Sequence, residues 1–404
     1  MEETRSKNIK TYISPDKKEP YQKMINLHTY NKCLSPSLTL ASVAQTCEEV
    51  GFDSIDSYGD FKVSCDVSSL RNFEGIVAKK FGVKDSLFVV SGVMAQNIAL
   101  KQYAVEKKKQ RFLCHKTSHL LLHEHNAFDH LLNLEAVVID TDEAMSFEDV
   151  SKALEGPGAD EIGTVIIEVP QREIGSRVTS WDDLEKMSDL CKSKNIAFHL
   201  DGARIWEISP HFEDEGKSYA DLVALFDSTY VSFYKGLGAI TGAMLFGTET
   251  FIAASRIWLR RFGGNVFSLY PLVASCWEGF NKNVACNPTI SFFQKRARMR
   301  EIVELLSGDD QVNKVVTFDP PRPTCCITHV YIKCESNGDL EAANEFVKKT
   351  EQITVFNNLR PRKPGNSAQS YWEWNLGNEN YHIRDEIILR GFRSLVSNLA
   401  KRQK

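Results

Sequence analysis

The chain has 404 residues, of which 42% are hydrophobic and 25% charged, and its formal net charge is −4. That composition is ordinary for a soluble globular protein and excludes wholesale disorder. The slight acidic balance excludes a nucleic-acid binder that works by bulk charge, although a local basic patch stays open.

The length allows two or three domains of roughly 100–200 residues. The opening stretch MEETRSKNIK has no apolar core, so no secretory signal is expected. No stretch offers the roughly 20 apolar residues that crossing a bilayer needs, so no membrane association is expected. Ten cysteines are present, none in a CxxC pair, and the closest two are the adjacent Cys325 and Cys326. Reduced thiols in a cytoplasmic protein are the expectation, rather than a zinc site or a disulfide framework.

Residues 1–20 are polar and read as a loose arm. From about residue 85, short apolar runs alternate with helical patterns, which predicts βαβ units around a mostly parallel sheet. The first unit is a strand over residues 86–90, the turn Ser91-Gly92 and a helix from about Val93 to Lys107. Strands are predicted at 135–140, 164–169, 196–200, 229–233 and 243–246. Ser180, with Asp183 three residues on, predicts a helix start. That helix would bury Trp181, Leu184, Met187, Leu190 and Cys191. Near residue 285 the pattern changes. A charged helix (292–306) leads to the joint Pro320-Pro321-Arg322-Pro323. Then come a strand (327–333), a helix (340–349), a short strand near 353–356 and a last helix (about 383–401). The expected division is an N-terminal segment (1–40), a large domain (41–285) and a small α/β C-terminal domain (286–404).

Lys235 is the only charged residue between Ser228 and Thr248. A buried, unpaired ammonium is costly, and such a lysine lowers its pKa and becomes nucleophilic toward aldehydes. The other reading is a lysine that snorkels from a strand end to the surface. Asp201 follows the apolar run 196–200, at the strand's carboxyl end, where open α/β sheets bind ligands. There it could keep a pyridinium nitrogen protonated, or it could close a turn as an ordinary pair with Arg204. Ser91 and Gly92, ahead of a helix, suit a phosphate and equally suit a plain helix cap. Five histidines lie between residues 115 and 130. His119 and His123, at i and i+4, allow a metal pair, a cofactor-stacking ring or a partly exposed polar helix. No GxGxxG follows an early strand, which argues against a nicotinamide dehydrogenase.

In order, SGVMAQN, a histidine helix, HLDGAR and YKGLGAITG resemble the threonine aldolase and β-eliminating lyase family, whose members are fold-type-I pyridoxal-phosphate enzymes. The resemblance covers about residues 25–285. It implies an aminotransferase-like α/β fold, pyridoxal 5'-phosphate as cofactor and a homodimer or homotetramer. It also implies a lyase that cleaves a β-hydroxy amino acid, threonine-like, to glycine and an aldehyde. By the same resemblance, Lys235 would carry the Schiff base and Asp201 would pair with the pyridine nitrogen. Arg204 would lie by the ring hydroxyl, while Ser91, Gly92 and Val93 would take the phosphate. His119 would stack on the ring, with Glu124 nearby, and either His119 or His123 could serve as base. Thr29 and Gln171 would face the substrate, with Arg172 beside Gln171. Tyr58-Gly59-Asp60 matches a family YGD.

Three departures stand out. Val93 replaces a phosphate-binding threonine, and Phe267 stands where many threonine aldolases carry an arginine. The C-terminal arginine that grips the substrate carboxylate has no match. That region reads Ser370-Tyr371-Trp372-Glu373-Trp374, with Arg360 and Arg362 as alternatives. The resemblance therefore implies a kept cofactor site and an altered carboxylate site. It leaves open β-elimination, racemisation or another reaction on a different amine, and also a cofactor-binding paralogue without activity.

Overall fold

The computed structural model describes residues 24–31, 34–52, 69–285, 288–361 and 369–403. The N-terminal arm, Tyr58-Gly59-Asp60 and Arg362 lie outside the described residues.

Seven strands form the central sheet: β2 (Asp85–Val89), β3 (Arg111–His115), β4 (Glu135–Ile139), β5 (Ile162–Glu168), β6 (Ala197–Gly202), β7 (Ser228–Ser232) and β8 (Ala243–Gly247). Their order is β2-β8-β7-β6-β5-β3-β4. The β7-β6-β5-β3-β4 run is parallel. β8 enters antiparallel between β7 and β2. β6 and β7 are buried along their whole length, as strands covered on both faces by helices must be. This is the mostly parallel α/β sheet expected from the alternating apolar runs.

The helix Trp181–Ser193 starts where Ser180 predicts, with Ser180 Oγ accepting from Asp183 N (3.2 Å). It buries Leu184, Met187 and Cys191 against the sheet, while Trp181 and Leu190 are only partly covered.

A second sheet lies C-terminal, in the antiparallel order β12-β10-β9, with β9 (Val316–Asp319), β10 (Ile327–Lys333) and β12 (Gln369–Asn375). Trp372 and Trp374 of β12 are fully buried. The short β1 (Ile25–Asn26) pairs in parallel with β11 (Ile353–Thr354), so the N-terminal segment is stitched to the C-terminal region. One continuous apolar core runs from Leu27 and Phe73 through Val231 to Trp374 and Leu399.

The histidine segment corrects the expectation of one helix. His115 ends β3, and only single helical turns follow, His119–Leu122 and Ala127–His130. His125 and Asn126 take left-handed backbone angles (φ 49° and 57°), which an α-helix cannot pass through. β12 and the strand β3 were not foreseen from the sequence.

Candidate active site

Because β2, β3, β5, β6 and β7 run the same way, their carboxyl ends open on one rim of the sheet. Ligands bind at that rim in open α/β folds. A cavity lies there, and Gly92, Val93, His119, Asp201, Arg204 and Lys235 all line it. Six residues singled out from the sequence thus meet in one place.

Lys235 follows β7 by three residues. Its carbonyl accepts from Asn31 Nδ2 (3.0 Å), which ties the N-terminal segment to the turn. Gly236 is required by crowding: a Cβ there would stand 2.5 Å from Glu207 Cδ. Burial pulls the Lys235 amine below its ordinary pKa, and the Arg204 charge adds to this, while Asp201 and Glu168 oppose it. The amine is therefore more often neutral, hence more nucleophilic, than an exposed lysine.

Asp201 lies on β6 opposite Tyr230 of β7. Its Oδ2 accepts from Gln96 Nε2 (2.5 Å) and its Oδ1 from Ala203 N (3.0 Å). Gln96 turns its carbonyl to His199 Nε2 (2.8 Å), and His199 Nδ1 meets Ser228 Oγ (2.6 Å). This pattern puts the imidazole proton on Nε2 and leaves Nδ1 to accept from the serine. Burial pushes His199 down to about 3, so it stays neutral. Glu168, at the end of β5, is the register partner of Asp201. Burial, and then the charge of Asp201, push Glu168 up to about 8.

Ser91 caps the helix Gly92–Lys107, its Oγ accepting from Met94 N (3.2 Å). Ser91 itself is not part of the cavity wall. A helix start leaves its first amides without intrahelical partners, so Gly92 and Val93 offer donors to an anion. A Cβ on residue 92 would lie 2.0 Å from Tyr230 Oη, so only glycine fits.

His119 Nδ1 is 2.9 Å from Glu124 Oε1. Burial lowers the His119 pKa, but the Glu124 hydrogen bond and the Asp201 charge outweigh it and leave the pKa raised. His123 lies tilted beside His119, with centroids 5.1 Å apart and ring planes at 47°, yet it bonds a different carboxylate, Glu173 Oε1 (3.0 Å). The two rings are thus committed to separate acids. His115 pairs with Thr117, and His125 and His130 are exposed.

Arg204 donates through Nη2 to Glu373 Oε1 (3.1 Å), and its buried Nε has no partner among the described residues. Gln171 is buried behind the wall and donates to Thr117 Oγ1 and Glu168 Oε2 (3.0 and 3.2 Å). Thr29 stands on the segment that Asn31 fastens to Lys235, outside the cavity lining. Phe267 is 60% exposed and does not line the cavity.

The reading of the sequence did not single out Gln96, Glu168, Tyr230 or Tyr234, which also line the cavity. Glu168 carries the signal that found Asp201, an acid closing an apolar strand. Gln96 is one helical turn after Gly92 and so shares its face.

Sheet topology and site together define a fold-type-I α/β scaffold, with a lysine and a carboxylate facing one cavity at the carboxyl rim. The beta-eliminating lyase family model matches residues 55–306. The chain belongs to that family. It is 28% identical over 242 residues to a low-specificity L-threonine aldolase of Candida albicans, covering 59% of this chain and 63% of that one. It is 30% identical over 202 residues to the aldolase vrtJ of Penicillium aethiopicum, covering 48% of this chain and 49% of that one. Each match spans less than two thirds of the curated relative. A Listeria monocytogenes EGD-E structure described as an L-allo-threonine aldolase superposes with TM-score 0.80 at 30% identity, covering 94% of this chain and 98% of that one.

Proposed function

We propose that the chain is a pyridoxal-phosphate-dependent lyase that cleaves a β-hydroxy amino acid, threonine-like, to glycine and an aldehyde. The observation that carries this reading is the convergence of a depressed lysine and a hydrogen-bonded aspartate on one cavity, in a chain of this family.

The residues present fit the cofactor. Lys235 is an amine for its aldehyde, and Asp201 is a carboxylate for its ring nitrogen. The orphaned Nε of Arg204 is a donor for its ring hydroxyl. The helix start at Gly92 and Val93, capped by Ser91, offers free backbone amides for its phosphate, and Gly92 leaves room beside Tyr230 that a Cβ would take. When bound, the group supplies an electron-withdrawing ring that accepts the electron pair released at the substrate's α-carbon.

The chain's own residues do the rest. Asp201, held on both oxygens, keeps a proton on the ring nitrogen and so keeps the ring electron-poor. Glu168, which holds a proton at neutral pH, adds no second negative charge beside Asp201. His119, braced by Glu124, takes the proton from the β-hydroxyl as the carbon–carbon bond breaks. Gln171, behind the wall, steadies Glu168 by donating to its Oε2 (3.2 Å).

No helix among the described residues is long and apolar enough to cross a membrane. Cys47, Cys114, Cys191, Cys276, Cys325 and Cys326 are free thiols, in keeping with a cytoplasmic protein. An assembly of at least two copies is part of the same reading, on the pattern of the family. A second reading, another pyridoxal-phosphate reaction on a different amine, is favoured by Glu373, which engages the arginines nearest the cavity.

The test is incubation of holoenzyme with threonine and allo-threonine. Release of equal amounts of glycine and acetaldehyde supports the lyase. Its absence, with the cofactor spectrum still responding to other amines, supports the second reading.

A further inference from the structure

Three guanidiniums converge on one carboxylate beside the cavity. Glu373, on β12 and 6% exposed, accepts from Arg172 Nε (2.5 Å), Arg204 Nη2 (3.1 Å) and Arg360 Nη2 (3.2 Å), and also from Asn375 Nδ2 (2.9 Å). Burial alone would raise its pKa, but Arg204 and Arg172 hold it down at about 2, so it is a permanent anion. Arg172 and Arg204 both line the cavity. Arg172 Nη2 also donates to Glu373 Oε1 (3.5 Å), and its Nη1 faces Glu173 Oε1 at 3.4 Å. Arg204 Nη1 faces Glu207 and Asn375. The cationic groups nearest a bound substrate are therefore already matched by acids of the chain itself. A substrate carboxylate arriving at Arg172 would have to displace Glu373, leaving a desolvated anion with fewer partners, which is costly.

We propose that Glu373 is a specificity-determining residue, a built-in counter-anion that takes the place of a substrate carboxylate. It biases the site toward β-hydroxy amines whose α-substituent is uncharged, such as an amide or ester. This rests on the pyridoxal-phosphate reading above. A free amino acid still enters, but it gains little from Arg172.

The test is titration of holoenzyme with glycine and with glycinamide, read by the change in cofactor absorbance, so that no turnover is needed. Wild type should bind glycinamide at least as tightly as glycine. Glu373→Gln should tighten glycine by about tenfold and leave glycinamide within about twofold. That gain should vanish when Arg172→Gln is added. Glu373→Asp keeps the charge and serves as a folding control, read by cofactor content and thermal unfolding. If Glu373→Gln fails to fold, Glu373→Asp still decides: its shorter arm loosens Arg172 and should improve glycine relative to glycinamide. Wild type preferring glycine strongly, or no gain for glycine in the variants, overturns the proposal. A wild-type protein that shows no cofactor spectrum would instead sink the cofactor reading itself, and this inference with it.

Discussion

Glu168 and Asp201 are register partners on adjacent parallel strands, and both line one cavity, Asp201 buried and Glu168 half-buried. A carboxyl beside a second carboxylate is pushed toward its protonated form. Asp201 accepts hydrogen bonds from Gln96 and Ala203. Glu168 is left to hold a proton, at a pKa of about 8. Glu168 is thus a neutral acid at neutral pH, set beside Asp201.

The first prediction concerns stability. The Glu168 pKa is raised from 4.5 to about 8, so the folded state keeps a proton that the unfolded chain gives up. Its contribution is fully present below about 4.5 and is lost as the pH rises through about 8. Glu168→Gln should flatten the fall in stability across that window, and at pH above about 8 should gain on the order of 1 kcal/mol or more. Thermal unfolding at several pH values measures it. A variant whose pH dependence follows wild type would show that residue 168 is already ionised.

Gln96 is the hinge of a buried relay. Gln96→Leu would strip a donor from Asp201 Oδ2 and an acceptor from His199 Nε2. Each orphaned buried group costs about 1–3 kcal/mol. Denaturant unfolding should show a loss in that range, with weaker cofactor retention. Unchanged stability would mean that water or a rearranged partner replaces the amide.

Asp201→Asn keeps size and shape but removes the charge. Cleavage should fall by about 100-fold or more, the scale of losing a preorganised electrostatic partner. Cofactor should still be bound, because Lys235 and the Gly92 cradle remain. Cofactor content and single-turnover rate, measured together, separate the two effects.

His119 must be neutral to accept a proton, and Glu124 raises its pKa. The cleavage rate should therefore fall on the acid side as His119 gains its proton. Glu124→Gln removes the raising influence and should move that acid limb toward lower pH. A pH–rate profile of the two proteins checks this. An unmoved limb would assign the base elsewhere, with His123 the next candidate.

Much of this site was legible in the chain. Lys235 and Asp201 were visible as charges at the ends of apolar strands, and Ser91-Gly92 as a turn into a helix. Strand periodicity and caps are local, and local signals survive in a single sequence. Glu373 was quoted only as a missing arginine, because its meaning lies in residues 172, 204 and 360, which the chain brings together over long separations. The histidine run misled for the opposite reason. Helical spacing suggested one face, but left-handed angles at His125 and Asn126 break the helix. The neutral state of Glu168 was hidden too, since it depends on a strand neighbour 33 positions away.

The most direct measurement is borohydride reduction of holoenzyme followed by peptide mapping. A pyridoxyl label on Lys235, lost in Lys235→Ala, is the expected result. Cofactor bound in solution but fixed on another lysine, or on none, would contradict the role assigned to the amine at the end of β7.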